Sequence, residues 1–211
     1  QKAAVLYRKQ ARFKLITTGK ISQKNLLFEE QHFERLRKAS RYFAFPFDSE
    51  NLKQKIEEEC QACDANQDYR LHISLDKSGE IEVDRQVLTA LSPSFCQAKL
   101  CLQEANLQQA FIYFKTTHRP HLSIGEQEII YHNKSGELLE TSIGNLVLKI
   151  SGKLYTPPIR LGILPGIYRQ LLLETGQVEE RALTIEDLKG AEAIYGCNAV
   201  RGLYELSVRE N

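Results

Sequence analysis

The chain contains no methionine, not even at position 1. That absence points to a trimmed N-terminus or to omitted methionines, so the order of motifs carries more weight than their fine spacing. It also lacks any apolar run long enough to span a bilayer, and neither a membrane span nor a signal peptide is expected. Neither sign of charge is in surplus: 28 Lys+Arg against 27 Asp+Glu leave a net charge of +1. Neither nucleic acid nor a membrane is therefore an expected partner. Cys60 and Cys63 form a C-x-x-C in EEECQACD, but no second Cys or His pair follows at metal-binding spacing. A redox C-x-x-C opens a helix after a strand, whereas this one closes an acidic helical pattern. Two helix-face cysteines and no metal are the expectation. An odd total of five cysteines (Cys60, Cys63, Cys96, Cys101, Cys197) reads as reduced thiols in a cytoplasmic protein.

What is present is ordinary for a globular protein. The 211 residues are 42% hydrophobic and 26% charged, enough for a packed core without staples. Residues 1–12 look like a basic helical lead-in. Residues 13–18 and the NLLF run read as strands, and Phe33, Leu36, Ala39 or Ser40, and Phe43 recur at helical spacing. Asp48-Ser49 caps a second helix over residues 51–63. YRLHISL and EIEVDRQV flank Asp76-Lys77-Ser78-Gly79, a hairpin signal. Ser92-Pro93-Ser94 suggests a hinge, dividing a small α/β lobe (residues 1–93) from a larger strand-rich lobe (residues 94–211) that carries Lys115. In the second lobe AKLCLQEA, EIIYHN, LLETSIGNLVLKI and LYTPP read as strands. PGIYRQLLLETG reads as a helix with proline in its first turn and Gly176 at its end. TIED caps a helix DLKGAEAI, and LYELSV closes the chain as a strand. There is no internal repeat. An α/β or α+β chain of two lobes fits this order.

Three features in the second half carry chemistry together. Lys115 follows FIYF, so it is expected at the end of an apolar strand, where partial desolvation lowers an amine's pKa. Taken alone it reads more readily as a surface lysine. Glu140 opens a turn-rich run and by itself could face solvent on a hairpin. LPGIYR could be any helix start. His118 and His121, three apart with no third ligand, do not make a metal site. In this order, however, amine, carboxylate and helix N-terminus are what pyridoxal phosphate needs for its aldehyde, ring nitrogen and phosphate.

The motifs resemble those of the fold-type IV pyridoxal-phosphate enzymes, the group of branched-chain and D-amino-acid aminotransferases and 4-amino-4-deoxychorismate lyases. KTTHR (Lys115 to Arg119) is similar to a KTTNR motif of the lyase branch. GELLETSIGNLVLKISGKLYTPP (Gly136 to Pro158), GILPGIYR (Gly162 to Arg169), CNAVRG (Cys197 to Gly202) and HFERLRKASRYFAFPFD (His32 to Asp48) are likewise similar to stretches of lyase domains fused behind some para-aminobenzoate synthases. The resemblance runs from about residue 13 to residue 208.

The resemblance implies two lobes with the cofactor between them. It makes Lys115 the lysine that condenses with the cofactor aldehyde and acts as catalytic base, and Glu140 the partner of the ring nitrogen. Arg35, the backbone N–H groups of Ile167 and Tyr168, and Asn198 would hold the phosphate side. Thr18 would face the substrate and relay a proton. Arg201 is the first candidate for a substrate carboxylate and Arg119 the second, whereas Arg169 reads as a helix-surface or structural residue. The implied reaction converts 4-amino-4-deoxychorismate to para-aminobenzoate and pyruvate. An aminotransferase of the same fold, acting on branched-chain or D-amino acids, and a non-catalytic partner domain of a para-aminobenzoate synthase are the alternatives. A homodimer is implied as well. Two departures stand out. The interval from Lys115 to Glu140 is shorter than these enzymes usually have, so a helix after the lysine is reduced or residues are missing. The chain also begins just before the first strand motif, as a trimmed or fused-type domain would.

Overall fold

The structure, a computed structural model, describes residues 13–103 and 109–208; the expected lead-in over residues 1–12 and the end of AKLCLQEA lie outside them. These residues form two compact units. One holds the described residues up to Thr89 together with Phe114–His118, and the other holds Ala90–Tyr113 and the chain from Arg119 onward.

The first unit is built on an antiparallel sheet. β1 (Leu15–Ser22) alternates buried and half-buried residues, the period-2 pattern of a strand with one covered face. It pairs with β2 (Asn25–Leu26) on one side and β3 (Tyr69–Leu75) on the other, and β3 pairs with β4 (Ile81–Val87). The turn between β3 and β4 is the expected one. Asp76 accepts hydrogen bonds from the amides of Ser78 and Glu80, and Gly79 supplies a φ of +96°. Helix α1 (Glu29–Phe43) buries Phe33, Leu36, Ala39 and Phe43 at the expected spacing. Helix α2 (Ser49–Gln61) starts where Asp48 accepts from the Asn51 amide, 3.0 Å. Cys60 lies in α2 and Cys63 just beyond it, both buried. Burial pushes the Cys60 thiol up to about 11, away from the reactive thiolate.

Phe114–His118 joins this unit by backbone pairing. The Ile16 amide donates to the Lys115 carbonyl (3.0 Å), the Thr117 amide donates to the Lys14 carbonyl (2.9 Å), and Leu15 bridges Thr116. Phe114 packs on Phe43 with ring centroids 5.4 Å apart. Lys115 is therefore held beside β1, not at the end of a strand formed by FIYF. The preceding run is a short helix, α3 (Gln109–Tyr113). A brief apolar run has no periodicity that separates a strand from a buried helical turn.

The second unit is a ring of strands. β5 (Gln97–Leu102), β6 (Ile129–His132), β7 (Leu138–Thr141), β8 (Asn145–Ile150), β9 (Lys153–Thr156), β10 (Glu179–Glu180), β11 (Ala193–Asn198) and β12 (Gly202–Val208) lie in the order β10-β9-β8-β11-β12-β5-β6-β7. A further pairing of β7 with β8 closes six of them. Ala98, Ile130, Leu138, Leu146, Leu148, Leu183, Leu188 and Leu206 form a core cluster of this unit. LLETSIGNLVLKI is two strands, because the chain turns where the Thr141 amide donates to the Gly144 carbonyl (2.9 Å).

Helix α4 (Ile167–Glu174) begins one residue after Gly166, which leaves Pro165 outside it; Gly176 follows its end with φ +67°. Helix α5 (Ile185–Lys189) carries the expected capping box between Thr184 and Asp187. It stops at Gly190, and the apolar residues expected to prolong it become β11. Among the described residues no helix is long and apolar enough to cross a membrane, and no group of three or more His, Cys, Asp or Glu is placed to hold a metal ion.

Candidate active site

In the first unit, Lys115, Arg35 and Thr18 gather around two histidines. His32 is 1% exposed, and its Nδ1 lies 2.6 Å from the Thr17 hydroxyl. Its pKa is lowered to about 3, first by burial, then by the positive charges of Arg35 and Lys115. Both cations are thus close enough to act on one buried ring. On the other face of the sheet, Thr18 and His72 are register partners across β1 and β3, with Oγ1 and Nδ1 3.4 Å apart. Burial holds His72 below its ordinary pKa; Arg70 and Lys115 add to this, and Asp84, opposite it on β4, resists it. Lys115 therefore sits in a positive neighbourhood beside two imidazoles held toward the neutral form.

In the second unit, Glu140 stands in β7 and is 2% exposed. The Arg119 guanidinium approaches it, Nη2 to Oε2 3.6 Å. Burial lowers the pKa of Arg119, and the negative charge of Glu140 pulls it back. Arg119, the second candidate for a substrate carboxylate, is thus directed at Glu140. The start of α4 lies at Gly166-Ile167, and the first bond inside the helix runs from the Gln170 amide to the Gly166 carbonyl (3.0 Å). The amides of Ile167 and Tyr168 precede it, in the first turn where a helix has no carbonyl of its own to offer. Gly166 supplies no side-chain cap.

Asn145 fixes the approach to that turn by donating to the Leu164 carbonyl, 2.8 Å. A Cβ at position 166 would lie 1.9 Å from its Oδ1. Asn198, at the end of β11, donates to the Ile143 carbonyl (3.3 Å) and accepts from the amides of Val200 (3.0 Å) and Arg201 (2.9 Å). It orders the loop that carries Arg201. Arg169 is structural: it is 1% exposed and donates to the Pro157 carbonyl (2.8 Å) and to Glu180 (2.5 Å).

Close packing beside Glu140 makes a direct prediction. A Cβ on Gly144 would lie 2.5 Å from the Cys197 carbonyl oxygen, which is backbone and cannot swing away. Gly144→Ala should therefore lower the denaturation free energy by about 1–3 kcal/mol. An unchanged urea midpoint would mean that β8 and β11 can separate without cost.

Residues 14–207 match the family described as amino-transferase class IV. The chain belongs to that family. A stretch of 126 residues is 31% identical to the aminodeoxychorismate lyase of Saccharomyces cerevisiae, taking in 47% of this chain and 34% of the yeast protein. The match thus spans about a third of that relative's length. The fold superposes on a Mesorhizobium loti protein provisionally named an amino-acid aminotransferase, with a TM-score of 0.80 and 25% identity over 93% of this chain and 100% of that one. It also matches the pyridoxal-phosphate-bound form of a hypothetical aminotransferase from Mycobacterium tuberculosis, with a TM-score of 0.73 and 17% identity over 92% and 81% of the two chains. The class IV fold, mixing sheets and helices, is the one the motifs imply.

Sequence reasoning missed three residues that frame these groups: His32 as the partner of Thr17, His72 as the partner of Thr18, and Glu128. Strand alternation could have placed Thr18 and His72 on half-buried faces, but pairing them needs the register of β1 on β3. Glu128 is wholly buried, and as the polar first residue of EIIYHN it gave no warning of that.

Proposed function

We propose that this class IV chain is a pyridoxal-phosphate-dependent 4-amino-4-deoxychorismate lyase that releases para-aminobenzoate and pyruvate. The cofactor reading is carried by the buried carboxyl group of Glu140 beside Arg119, in the same unit as a helix start without a side-chain cap. That donor set fits a protonated ring nitrogen and a phosphate, and the amine of Lys115 with the guanidinium of Arg35 fits the aldehyde and a further phosphate contact. The choice of lyase is supported by the 31% identity to the yeast enzyme.

When bound, the cofactor supplies an aldehyde for the substrate amine and an electron sink for the charge left by proton removal. Lys115 takes the proton from the amine-bearing ring carbon. Glu140 keeps a proton on the ring nitrogen, and Arg119 opposes its negative charge. Ile167, Tyr168, Arg35 and Asn198 hold the phosphate side. Thr18, steadied by His72, passes a proton to the departing enolpyruvyl group. Arg201 binds a substrate carboxylate. Aromatisation of the ring supplies much of the driving force, so the side chains mainly orient and move protons.

The decisive assay supplies chorismate, glutamine and a separate aminodeoxychorismate synthase, and follows para-aminobenzoate and pyruvate together. Equimolar release of both, dependent on this chain, is expected. The aminotransferase reading is favoured by the likeness to the Mesorhizobium loti protein. It predicts instead that an amino acid converts the bound cofactor to its pyridoxamine form, with no pyruvate release. Glu140→Gln should keep the cofactor but slow turnover tenfold or more, which corresponds to about 1.4 kcal/mol or more of lost transition-state stabilisation; wild-type turnover in that variant would remove Glu140 from the mechanism. The same reading makes the protein a cytoplasmic homodimer, to be checked as a solution mass of twice the chain, and a working partner of a para-aminobenzoate synthase component.

A further inference from the structure

Glu128 is a puzzle for packing alone. It is wholly buried in the second unit, immediately before β6. A carboxyl group in such a place is costly, and an apolar residue of similar size would usually serve stability as well or better. Its oxygens instead collect four donors, and no ion pair reaches it among the described residues. Oε1 accepts from the Ser142 hydroxyl, from the Ile143 amide (3.3 Å) and from the Ile129 amide (3.4 Å). Oε2 accepts from the Tyr204 hydroxyl, 2.8 Å. Burial first, and then the nearby Glu128, push the Tyr204 hydroxyl far above its ordinary pKa, so it stays a donor.

These donors are not scattered. Ser142 and Ile143 are the middle of the turn that leaves Glu140, closed by the Thr141 amide on the Gly144 carbonyl. The Ile143 carbonyl in turn accepts from Asn198, whose Oδ1 holds the amides of Val200 and Arg201. Tyr204 packs where Gly196 leaves room: a Cβ there would meet the Tyr204 ring at 2.3 Å. One carboxyl group thus ties the turn after Glu140 to β12 and, through Asn198, to the loop that carries Arg201.

We propose that Glu128 is a positioning residue, whose buried carboxyl group clamps the Thr141–Gly144 turn and so sets the orientation of Glu140 and of the Asn198–Arg201 loop. The clamp itself is a property of this unit; its consequence for catalysis rests on the function proposed above. A fully satisfied buried network rigidifies what it holds, and removing one member leaves the others without partners.

The test uses Glu128→Gln and the milder Tyr204→Phe in the full chain. In the cofactor-free protein, hydrogen exchange at the amides of Thr141, Ile143 and Gly144 should accelerate at least tenfold, while the amides of β9 keep their wild-type rates. Exchange at the turn that rises no more than at β9 would overturn the clamp. In the loaded protein, turnover per bound cofactor should fall at least tenfold, and the pH midpoint of the visible cofactor band should shift; a purely structural loss would lower the melting temperature and leave both unchanged. Should wild type itself show no cofactor band that borohydride abolishes, the proposed function fails, and the exchange arm still decides the clamp. Tyr204→Phe keeps the test open if Glu128→Gln does not fold, because it removes a single donor and retains the carboxyl group.

Discussion

Lys115→Ala is expected to abolish para-aminobenzoate formation and to leave the fold in place. The reacting atom is the side-chain amine, and nothing in an alanine can replace it as a nucleophile or a base. What anchors the residue is backbone: its carbonyl accepts from the Ile16 amide, and its neighbours pair with Lys14 and Leu15. Those bonds survive truncation at Cβ. The substitution also takes a positive charge away from His32 and His72, which both feel it, so neither histidine is pushed toward a less favourable state. The coupled assay should therefore fall to background while the urea midpoint stays near that of wild type. Turnover at the wild-type rate would refute the assignment of the amine. A collapse of stability with it would place Lys115 in the fold, not in the chemistry.

Acid should destabilise the protein through His32, over a window that the burial of this ring defines. Its folded-state pKa of about 3 lies well below the ordinary 6.5. Between these values the unfolded chain binds a proton that the folded ring refuses. The stability tied to the neutral ring is thus complete above pH 6.5 and drains as pH falls toward 3. Each pH unit in the window costs about 1.4 kcal/mol, so near pH 4.5 the loss is roughly 3 kcal/mol. Carboxyl groups with lowered pKa values, such as Asp68 and Asp76, lose stability at the acid end of the same window, so the wild-type curve alone does not isolate the histidine. His32→Gln does. Glutamine still offers Thr17 a polar partner but has no proton to refuse. It should be less stable than wild type at pH 7 and show a shallower decline between pH 6.5 and 4.5. Parallel urea-midpoint curves for the two proteins would show that His32 titrates freely in the folded state.

Much of the local structure was legible because it is carried by contiguous residues. The alternation in β1, the helical recurrence of Phe33, Leu36, Ala39 and Phe43, the Asp76–Gly79 turn and the Thr184–Asp187 box all appear as read. The misreadings fall where short apolar runs had to be assigned by neighbourhood. The first three residues of FIYF became the end of α3, and Ala193 and Ile194 beyond Gly190 became the start of β11. In both cases the partner that decides the outcome lies far away in the chain, since a strand needs another strand and a buried helical turn needs only a core.

By itself the sequence determined the order of the chemical groups, an amine at Lys115, a carboxyl group at Glu140 and a helix start at Ile167, and with them the class IV family. Side-chain type and turn chemistry are properties of adjacent residues, which settles that order; the family follows from the likeness of the motifs around them. Tertiary structure alone decided how those groups are held. Lys115 is pinned by pairing with residues a hundred positions earlier, Arg119 is turned toward Glu140, and Glu128 gathers donors from Ser142 and Tyr204. Each of these rests on strand register and ring closure, which bring distant residues within hydrogen-bonding range and leave no trace in the spacing along the chain.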